Sequence, residues 1–317
     1  MKHHRASLFR IFGVVVTLLG PVSGAASSQS QADQSGAARD SQIGCGNAAV
    51  VLNSQWDRIR SDARTILPLL ESEYACNERE GARHLAAALN EHSGDRAWWE
   101  AIFRGGQISS AANDFETAET LFKSIQKSYA NQAALYFELG TVQLQAGKFA
   151  GAKESYERAA RLDHSSAEIQ LGLAGARALS GYGEDALSGL DQAIQHFPND
   201  SRFLVAYADV LQQLPEYSDS VYQIRAKRYL ERAISADASS ARAHYLLGQL
   251  LIAESNFEEA IRELEIAVRY EPGFKEVHFA LSRAYRRVGR AADADEQFSL
   301  FRKLESAQTA ASGTAVP

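Results

Sequence analysis

The chain has 317 residues, of which 45% are hydrophobic and 23% are charged, proportions that are ordinary for a globular protein. Its 39 acidic and 33 basic side chains give a net charge of −6. This negative balance argues against a protein that binds nucleic acid or an anionic membrane through a broad positive field.

The first 26 residues have the pattern of a secretory signal. Three basic residues come before or at the start of an apolar run over 11–22, and small residues follow at 23–26. This order predicts cleavage near Ala25 or Ala26 and a periplasmic or secreted protein. An uncleaved anchor is the alternative, although the apolar run is short for a bilayer span. Removal of 1–26 takes away three basic residues and no acidic one, which leaves a net charge near −9.

Two polar segments and two cysteines give further predictions for an exported chain. Residues 27–44 predict a disordered tether and residues 306–317 a disordered tail. Cys45 and Cys76 are the only cysteines, and an even count in an exported chain favours a disulfide over two free thiols. The bond would stabilise 45–97 by about 3–4 kcal/mol. We interpret 45–97 as an atypical helical pair that caps an array, with a separate small domain as the alternative.

A period of 34 residues organises the rest of the chain. Alanines recur at this spacing in two series, which are Ala118, Ala152 and Ala186, then Ala226, Ala260 and Ala294. Such a period is typical of arrays of helical hairpins, and apolar residues three and four apart within it predict amphipathic helices. Three glycines fall between paired helices, where a positive φ is needed; they are Gly147, Gly181 and Gly289.

One interval departs from the period. Ala193 and Ala233 are 40 residues apart, and the surplus of six lies around 214–224. The surplus predicts a longer connection between helices or an extended second helix in the unit 201–240. Insertions in repeat arrays often lie on a binding face, although neutral drift of a loop is the alternative.

Residues 133–166 show the repeat most fully. Tyr136, Leu139 and Gly140 fall on the first helix, and Ala152, Tyr156 and Ala159 fall on the second. This segment resembles the tetratricopeptide repeat, a family known for Leu-Gly at repeat positions 7 and 8 and for alanine, an aromatic residue and alanine at positions 20, 24 and 27. The resemblance covers about 99–305. It implies an all-α solenoid of helical hairpins, a right-handed superhelix of about five repeats over 98–305.

The resemblance also implies where a partner binds. In this family the first helix of each pair lines a concave groove through positions 2, 5, 9, 12 and 13. The corresponding candidates here are Phe137, Thr141, Arg202, Asp209, Arg242, Tyr245, Gln249, Phe279, Arg283, Arg286 and Arg287. Because arginines and aromatic residues interleave toward the C-terminal end, we expect an acidic or amphipathic protein segment as the ligand. The Lys and Asn pair with which one branch of the family holds a C-terminal carboxylate is missing.

The sequence carries no recognisable catalytic motif. It has no phosphate-binding glycine loop, nucleophile elbow or metal-binding Cys/His cluster, so we expect no catalytic residues, no metal and no cofactor. His244 and His278 are 34 residues apart and are expected to pack within the array. The leading hypothesis is a non-catalytic interaction scaffold in the cell envelope. The alternatives are an enzyme-associated accessory module, or self-assembly through the apolar face of the last helix, which carries Phe298, Phe301 and Leu304.

Overall fold

The structure is a computed structural model, and it describes residues 56–214, 216 and 220–311. Across these ranges the secondary structure is helical, which confirms the expected all-α class. The chain divides after Ser180 into two compact units.

In residues 56–180 the first unit contains a helical turn at 56–59, three helical hairpins and one further helix. A short 3-10 helix, Arg96–Trp98, leads into the second hairpin. The pairs are α1 with α2, α3 with α4 and α5 with α6, and α7 packs on α6 and α5. The helices are α1 (Ala63–Ala75), α2 (Arg79–Glu91), α3 (Trp99–Ala111), α4 (Phe115–Ile125), α5 (Ala133–Gln145), α6 (Phe149–Leu162) and α7 (Ala167–Leu179).

The second unit repeats the same arrangement. Helix α8 packs on α9, and three hairpins follow, formed by α9 with α10, α11 with α12 and α13 with α14. The helices are α8 (Gly183–His196), α9 (Ser201–Gln213), α10 (Ser220–Ala236), α11 (Ala241–Ala253), α12 (Phe257–Tyr270), α13 (Lys275–Arg287) and α14 (Ala291–Ala311).

The turns that precede α6, α8 and α14 follow the sequence prediction. Gly147, Gly181 and Gly289 have φ angles of 72°, 88° and 80°, in the left-handed region that costs glycine least. Asn113 and Ser255 occupy the same turn 34 residues before Gly147 and Gly289, with φ angles of 59° and 63°. The turn geometry is therefore kept where the glycine is missing.

Small residues on the first helix allow the second helix to approach closely. A Cβ atom on Gly140 would lie 3.0 Å from the ring of Tyr156, the residue 16 positions later in the same hairpin. Gly106 faces Phe122 in α3–α4 with the same separation in sequence, and Gly248 faces Leu264 in α11–α12. The Leu-Gly and aromatic positions of the repeat are therefore two halves of one contact.

Tyr156 also joins consecutive repeats. Its side chain is fully buried, and a Cβ atom on Gly172 of α7 would lie only 2.4 Å from its Cε1 atom. Its hydroxyl lies 2.9 Å from the hydroxyl of Thr141. Burial raises the pKa of the phenol, so the ring remains a neutral packing group held between α5 and α7.

His244 and His278 pack within the second unit, as the sequence predicts. Both are buried, and in each the Nε2 atom donates to a backbone carbonyl six residues earlier, that of Ala238 at 3.1 Å or of Pro272 at 2.9 Å. Each Nδ1 atom reaches the side chain 19 residues later on the second helix. That partner is Glu263 for His244, at 2.7 Å, and Gln297 for His278, at 2.7 Å.

The surplus of six residues is divided between a longer connection and a longer helix. Helix α10 has 17 residues, whereas α6, α8 and α12 have 14 each. The prediction of a disordered tail needs a correction for 306–311, because α14 continues through these residues; the rest of the predicted tail, 312–317, lies outside the described residues. Lys275 of α13 binds Gln308 of α14, which supports these last turns.

Three predictions fall outside the described residues. They are the secretory signal, the tether and the position of Cys45. Its predicted partner Cys76 lies at the C-terminal cap of α1, where its backbone N–H donates to the carbonyl of Ser72. The pairing of the two cysteines stays a prediction.

We predict that Gly172→Ala destabilises the first unit by about 1–3 kcal/mol, because the added methyl group must displace the buried ring of Tyr156. Gly94→Ala is the matched control in the same unit, since a Cβ atom there meets no atom within 4 Å. Urea unfolding followed by circular dichroism measures both. Equal stability of the two variants would contradict the close contact at Gly172.

The pair of His244 and Glu263 predicts a stability that depends on pH. Burial lowers the pKa of His244, but the hydrogen bonds to Glu263 and to the carbonyl of Ala238 outweigh it, and the pKa is raised. Stability from a raised histidine pKa is fully present below the unfolded value of about 6.5 and is lost as pH rises through the folded value. Glu263→Gln should therefore destabilise by about 1–2 kcal/mol near pH 5.5 and by less near pH 8.

The sibling repeat provides the control for this prediction. Gln297→Glu places a carboxylate beside His278, as Glu263 is placed beside His244, and should add stability at low pH. Urea unfolding of both variants and the wild type across this pH range measures the effect. A pH-independent difference between wild type and Glu263→Gln would show that the pair acts only as a neutral hydrogen bond.

Candidate functional site

The candidate groove residues of the first unit lie on α5 and are half-buried. The ring of Phe137 packs edge-on against Tyr156 with centroids 5.9 Å apart. The hydroxyl of Thr141 contacts the Tyr156 hydroxyl and donates to the carbonyl of Phe137 at 3.0 Å. Both residues therefore support the contact between helices, and each leaves only part of its surface to a partner.

The structure adds Glu138 to this face. Its Oε1 atom accepts a hydrogen bond of 2.7 Å from Gln107 of α3, so the two residues link neighbouring repeats. Burial raises the pKa of Glu138, and the bond from Gln107 opposes this rise. The sequence did not reveal Glu138 as a candidate, because repeat position 6 is outside the inward positions known for the family.

A second carboxylate that sequence reasoning missed is Glu119 on α4. Its oxygens bind Lys123 at 2.7 Å and also Lys148 and Gln143. Burial opposes ionisation, but the hydrogen bonds from Lys123, Lys148 and Gln143 lower the pKa of Glu119 to about 2. The spacing of Glu119 and Lys123, four residues apart on one helix, is a signal that could have revealed part of this network.

In the second unit, two candidate groove residues bind each other. Arg242 of α11 and Asp209 of α9 form an ion pair of 2.8 Å, and both side chains are more than 90% buried. Burial raises the pKa of Asp209, while Arg242 opposes the rise. Their expected role as exposed groove contacts is therefore not what the structure shows, because the carboxylate and guanidinium satisfy each other between neighbouring repeats.

Tyr245 is also buried rather than open to a partner. Its ring lies 4.8 Å from that of Phe274, and the guanidinium of Arg242 lies 5.4 Å from its centroid. Burial raises the pKa of Tyr245 to about 12. Gln249, one turn later, is exposed and donates its amide to the Tyr245 hydroxyl.

Arg202 lies in the first turn of α9 and binds the residue that caps this helix. Its guanidinium binds the carboxylate of Asp200 at 2.6 Å, and the same carboxylate accepts from the backbone N–H of Arg202 at 3.0 Å. Asp200 is thus the N-cap of α9 and the charge partner of Arg202.

The candidates on α13 remain the most exposed. Phe279 is 41% exposed, with its ring 5.2 Å from that of Phe301. Arg283, one turn further along, is exposed and has no ion pair among the described residues. We call Phe279, Arg283, Arg286 and Arg287 the α13 surface.

The two remaining arginines of the α13 surface are held at its edges. Arg286 binds Asp295 at 3.3 Å and lies over the ring of Phe298. Arg287 lies over the ring of Phe257 on α12, 5.4 Å from its centroid. Aromatic rings thus position Arg286 and Arg287, the two arginines that follow Arg283 on the next turn of α13.

In residues 56–214, 216 and 220–311, no group of three His, Cys, Asp or Glu side chains could hold a metal ion. A surface cavity of about 320 Å³ lies between α2 and α4, and its lining includes Arg83, Asn90, Glu116 and Leu121. No helix in the described part of the chain has the length and apolar character needed to cross a bilayer.

Two kinds of known protein are similar to this chain. The chain is 22% identical over 205 residues to human DnaJ homolog subfamily C member 7; the match covers 61% of this chain and 39% of that protein. The chain therefore spans about two fifths of that relative's length.

Among solved structures, TTC0263, a TPR protein of Thermus thermophilus, is 19% identical with a TM-score of 0.48, covering 59% of this chain and 98% of that one. MamA of Desulfovibrio magneticus is 25% identical with a TM-score of 0.44, covering 56% and 96%.

Family models account for most of the helical array. One tetratricopeptide repeat model matches residues 143–209, and a second matches 103–166, 225–263 and 249–301. Together these matches cover more than half of the chain, and they include the hairpins in which glycine faces a large side chain. The chain belongs to the tetratricopeptide repeat family.

Proposed function

We propose that this protein is a non-catalytic interaction scaffold that binds an acidic or amphipathic segment of a partner protein on the α13 surface and acts in the cell envelope. The observation that carries the proposal is the exposed pair Phe279 and Arg283. An aromatic side chain beside an arginine without an ion pair is the combination that binding hot spots favour.

The neighbouring helices support this choice of surface. Asp209, Arg242 and Tyr245 are satisfied by contacts within the second unit, so a partner gains little by meeting them. On α13, Arg283 has no ion pair among the described residues, and an acidic segment would supply its charge partner. The contact of Phe279 with Phe301 supplies an apolar floor for an apolar residue of that segment.

The envelope location is proposed from the N-terminal sequence. Basic residues, an apolar run and small residues follow one another over 1–26, as in a secretory signal. An exported scaffold would fold in an oxidising compartment, where a bond between Cys45 and Cys76 persists. The bond would join the segment before the array to the end of α1.

Self-assembly through the last helix is a second candidate. Leu300 of α14 is 37% exposed, and Phe298 and Phe301 are half-buried on the same helix. A further copy stacking on this helix would cover them, as a following repeat does within an array.

We predict that a photo-crosslinking amino acid at Phe279 captures an acidic segment of one dominant protein in cells, whereas the same probe at Tyr270 does not. Tyr270 is a matched control because it is 51% exposed on the second helix of the preceding hairpin. With the captured segment as a peptide, Arg283→Glu should weaken binding by about tenfold or more, because it replaces attraction with repulsion. Crosslinks only between copies would favour self-assembly. A folded, exported protein without any adduct would overturn the proposal.

We predict that the exported protein lacks about the first 26 residues and carries one disulfide. Intact mass spectrometry with and without reduction measures both, since a disulfide lowers the mass by two hydrogens. Cys76→Ser should lower the free energy of unfolding by about 3–4 kcal/mol if the bond forms. A retained N-terminus with two thiols reactive toward alkylation would contradict the proposed export.

A further inference from the structure

A buried carboxyl group lies inside the first hairpin. Glu73 of α1 is 3% exposed, and its side chain lies so close to α2 that a Cβ atom on Gly81 would be 2.0 Å from its Oε2 atom. Its Oε1 atom is buried and forms no hydrogen bond in the described part of the chain. Buried polar groups in folded proteins nearly always have a partner, and a buried charge without one is costly.

The equivalent residues of the next two hairpins do have partners. Ser109 and Gln143 lie, like Glu73, four residues before the left-handed residue of the hairpin turn. The hydroxyl of Tyr74 donates to Ser109 at 3.2 Å, and the amide of Gln143 donates to Glu119 at 3.1 Å. Each of these partners belongs to the preceding hairpin. Among the described residues no hairpin precedes α1 and α2, so Glu73 lacks the partner that this position receives in the next two hairpins.

The charged side chains near Glu73 do not compensate a negative charge on it. Glu78, in the turn of the hairpin, is itself acidic. Arg83 of α2 binds Asp114 at 3.1 Å, and Arg104 of α3 lies 3.7 Å from another carboxylate of α1. The other acidic and basic side chains of α1 and α2 are exposed; they are Arg64, Glu71, Arg79, Glu80, His84 and Glu91. Burial, together with repulsion from Glu78, therefore raises the pKa of Glu73.

A raised carboxyl pKa makes the closed hairpin less stable as pH rises. Below the unfolded value of about 4.3 the carboxyl group is protonated whether the hairpin is closed or open. As pH rises toward the folded value, the open state releases its proton first, so it binds fewer protons than the closed state and opening is favoured. Above the folded value the full cost of burying the charge opposes closure.

We propose that Glu73 is a pH switch of the first hairpin: when protonated it lets α1 close on α2, and when ionised it leaves its buried position and opens the hairpin. The closed hairpin buries Ile66, Leu70, Leu85 and Leu89, so opening exposes apolar surface. Opening of one hairpin is expected rather than of the whole array, because each repeat is held only by its neighbours. This switch is independent of the α13 surface and of its ligand.

Hydrogen exchange of the full chain at pH 5 and pH 8, followed by mass spectrometry, tests the proposal. After correction for the intrinsic effect of pH on exchange, we expect the amides of 66–75 to lose protection by about tenfold or more at pH 8, because the buried charge has no partner. The amides of 149–162, in α6, should lose less and provide the internal reference.

Three variants assign the effect to its carboxyl group. Glu73→Gln puts a neutral group of the same shape in the buried position and should keep at pH 8 the protection seen at pH 5. Glu78→Gln removes the repulsion and should make the loss smaller. Glu80→Gln is the matched control, since it removes an exposed carboxylate from α2 and should leave the loss unchanged.

Two results would refute the switch. One is a wild type in which the protection of 66–75 is the same at both pH values. The other is a loss of protection in Glu73→Gln that equals the loss in the wild type. Circular dichroism at both pH values confirms that each variant is folded.

Discussion

The hairpins of this protein depend on a contact between a small residue on one helix and a large side chain on the next. Gly106, Gly140 and Gly248 leave room for Phe122, Tyr156 and Leu264, each 16 residues later. Because the ring or branched side chain fills the space that a Cβ atom would need, the two helices settle at one separation. Tyr156 extends the same contact to Gly172, so one side chain sets the distance within a repeat and to the next.

The packing between repeats also decides which residues remain for a partner. The ion pair of Asp209 and Arg242 joins α9 to α11, and Tyr245 packs with Phe274. Removing one member of a buried ion pair leaves an uncompensated charge, which is far costlier than removing an exposed one. Asp209, Arg242 and Tyr245 are therefore buried in contacts between repeats, whereas the candidate residues on α13 remain exposed to solvent.

The sequence predicted the hairpins well because their determinants are local. Periodic alanines, turn glycines and the Leu-Gly pair are all separated by fixed numbers of residues, and the φ angles at Gly147, Gly181 and Gly289 follow from them. Exposure at the candidate site could not be predicted in this way. Position 2 or 9 of a repeat predicts that a side chain faces the groove. Whether Arg242 is exposed to solvent or forms an ion pair depends on which residue lies 33 positions earlier, and in this chain that residue is Asp209. The same limit concealed Glu138, whose partner Gln107 lies 31 positions earlier.

The short reach of these contacts bears on how the chain acquires its structure. The side-chain contacts join residues that are close in sequence; the ion pair of Arg242 with Asp209, for example, spans 33 positions. Chains dominated by local contacts fold rapidly, because little loop-closure entropy opposes each step. A hairpin can form as soon as its own residues are free, and its neighbour can then add to it. Folding from one end is thus possible without waiting for the distant part of the chain.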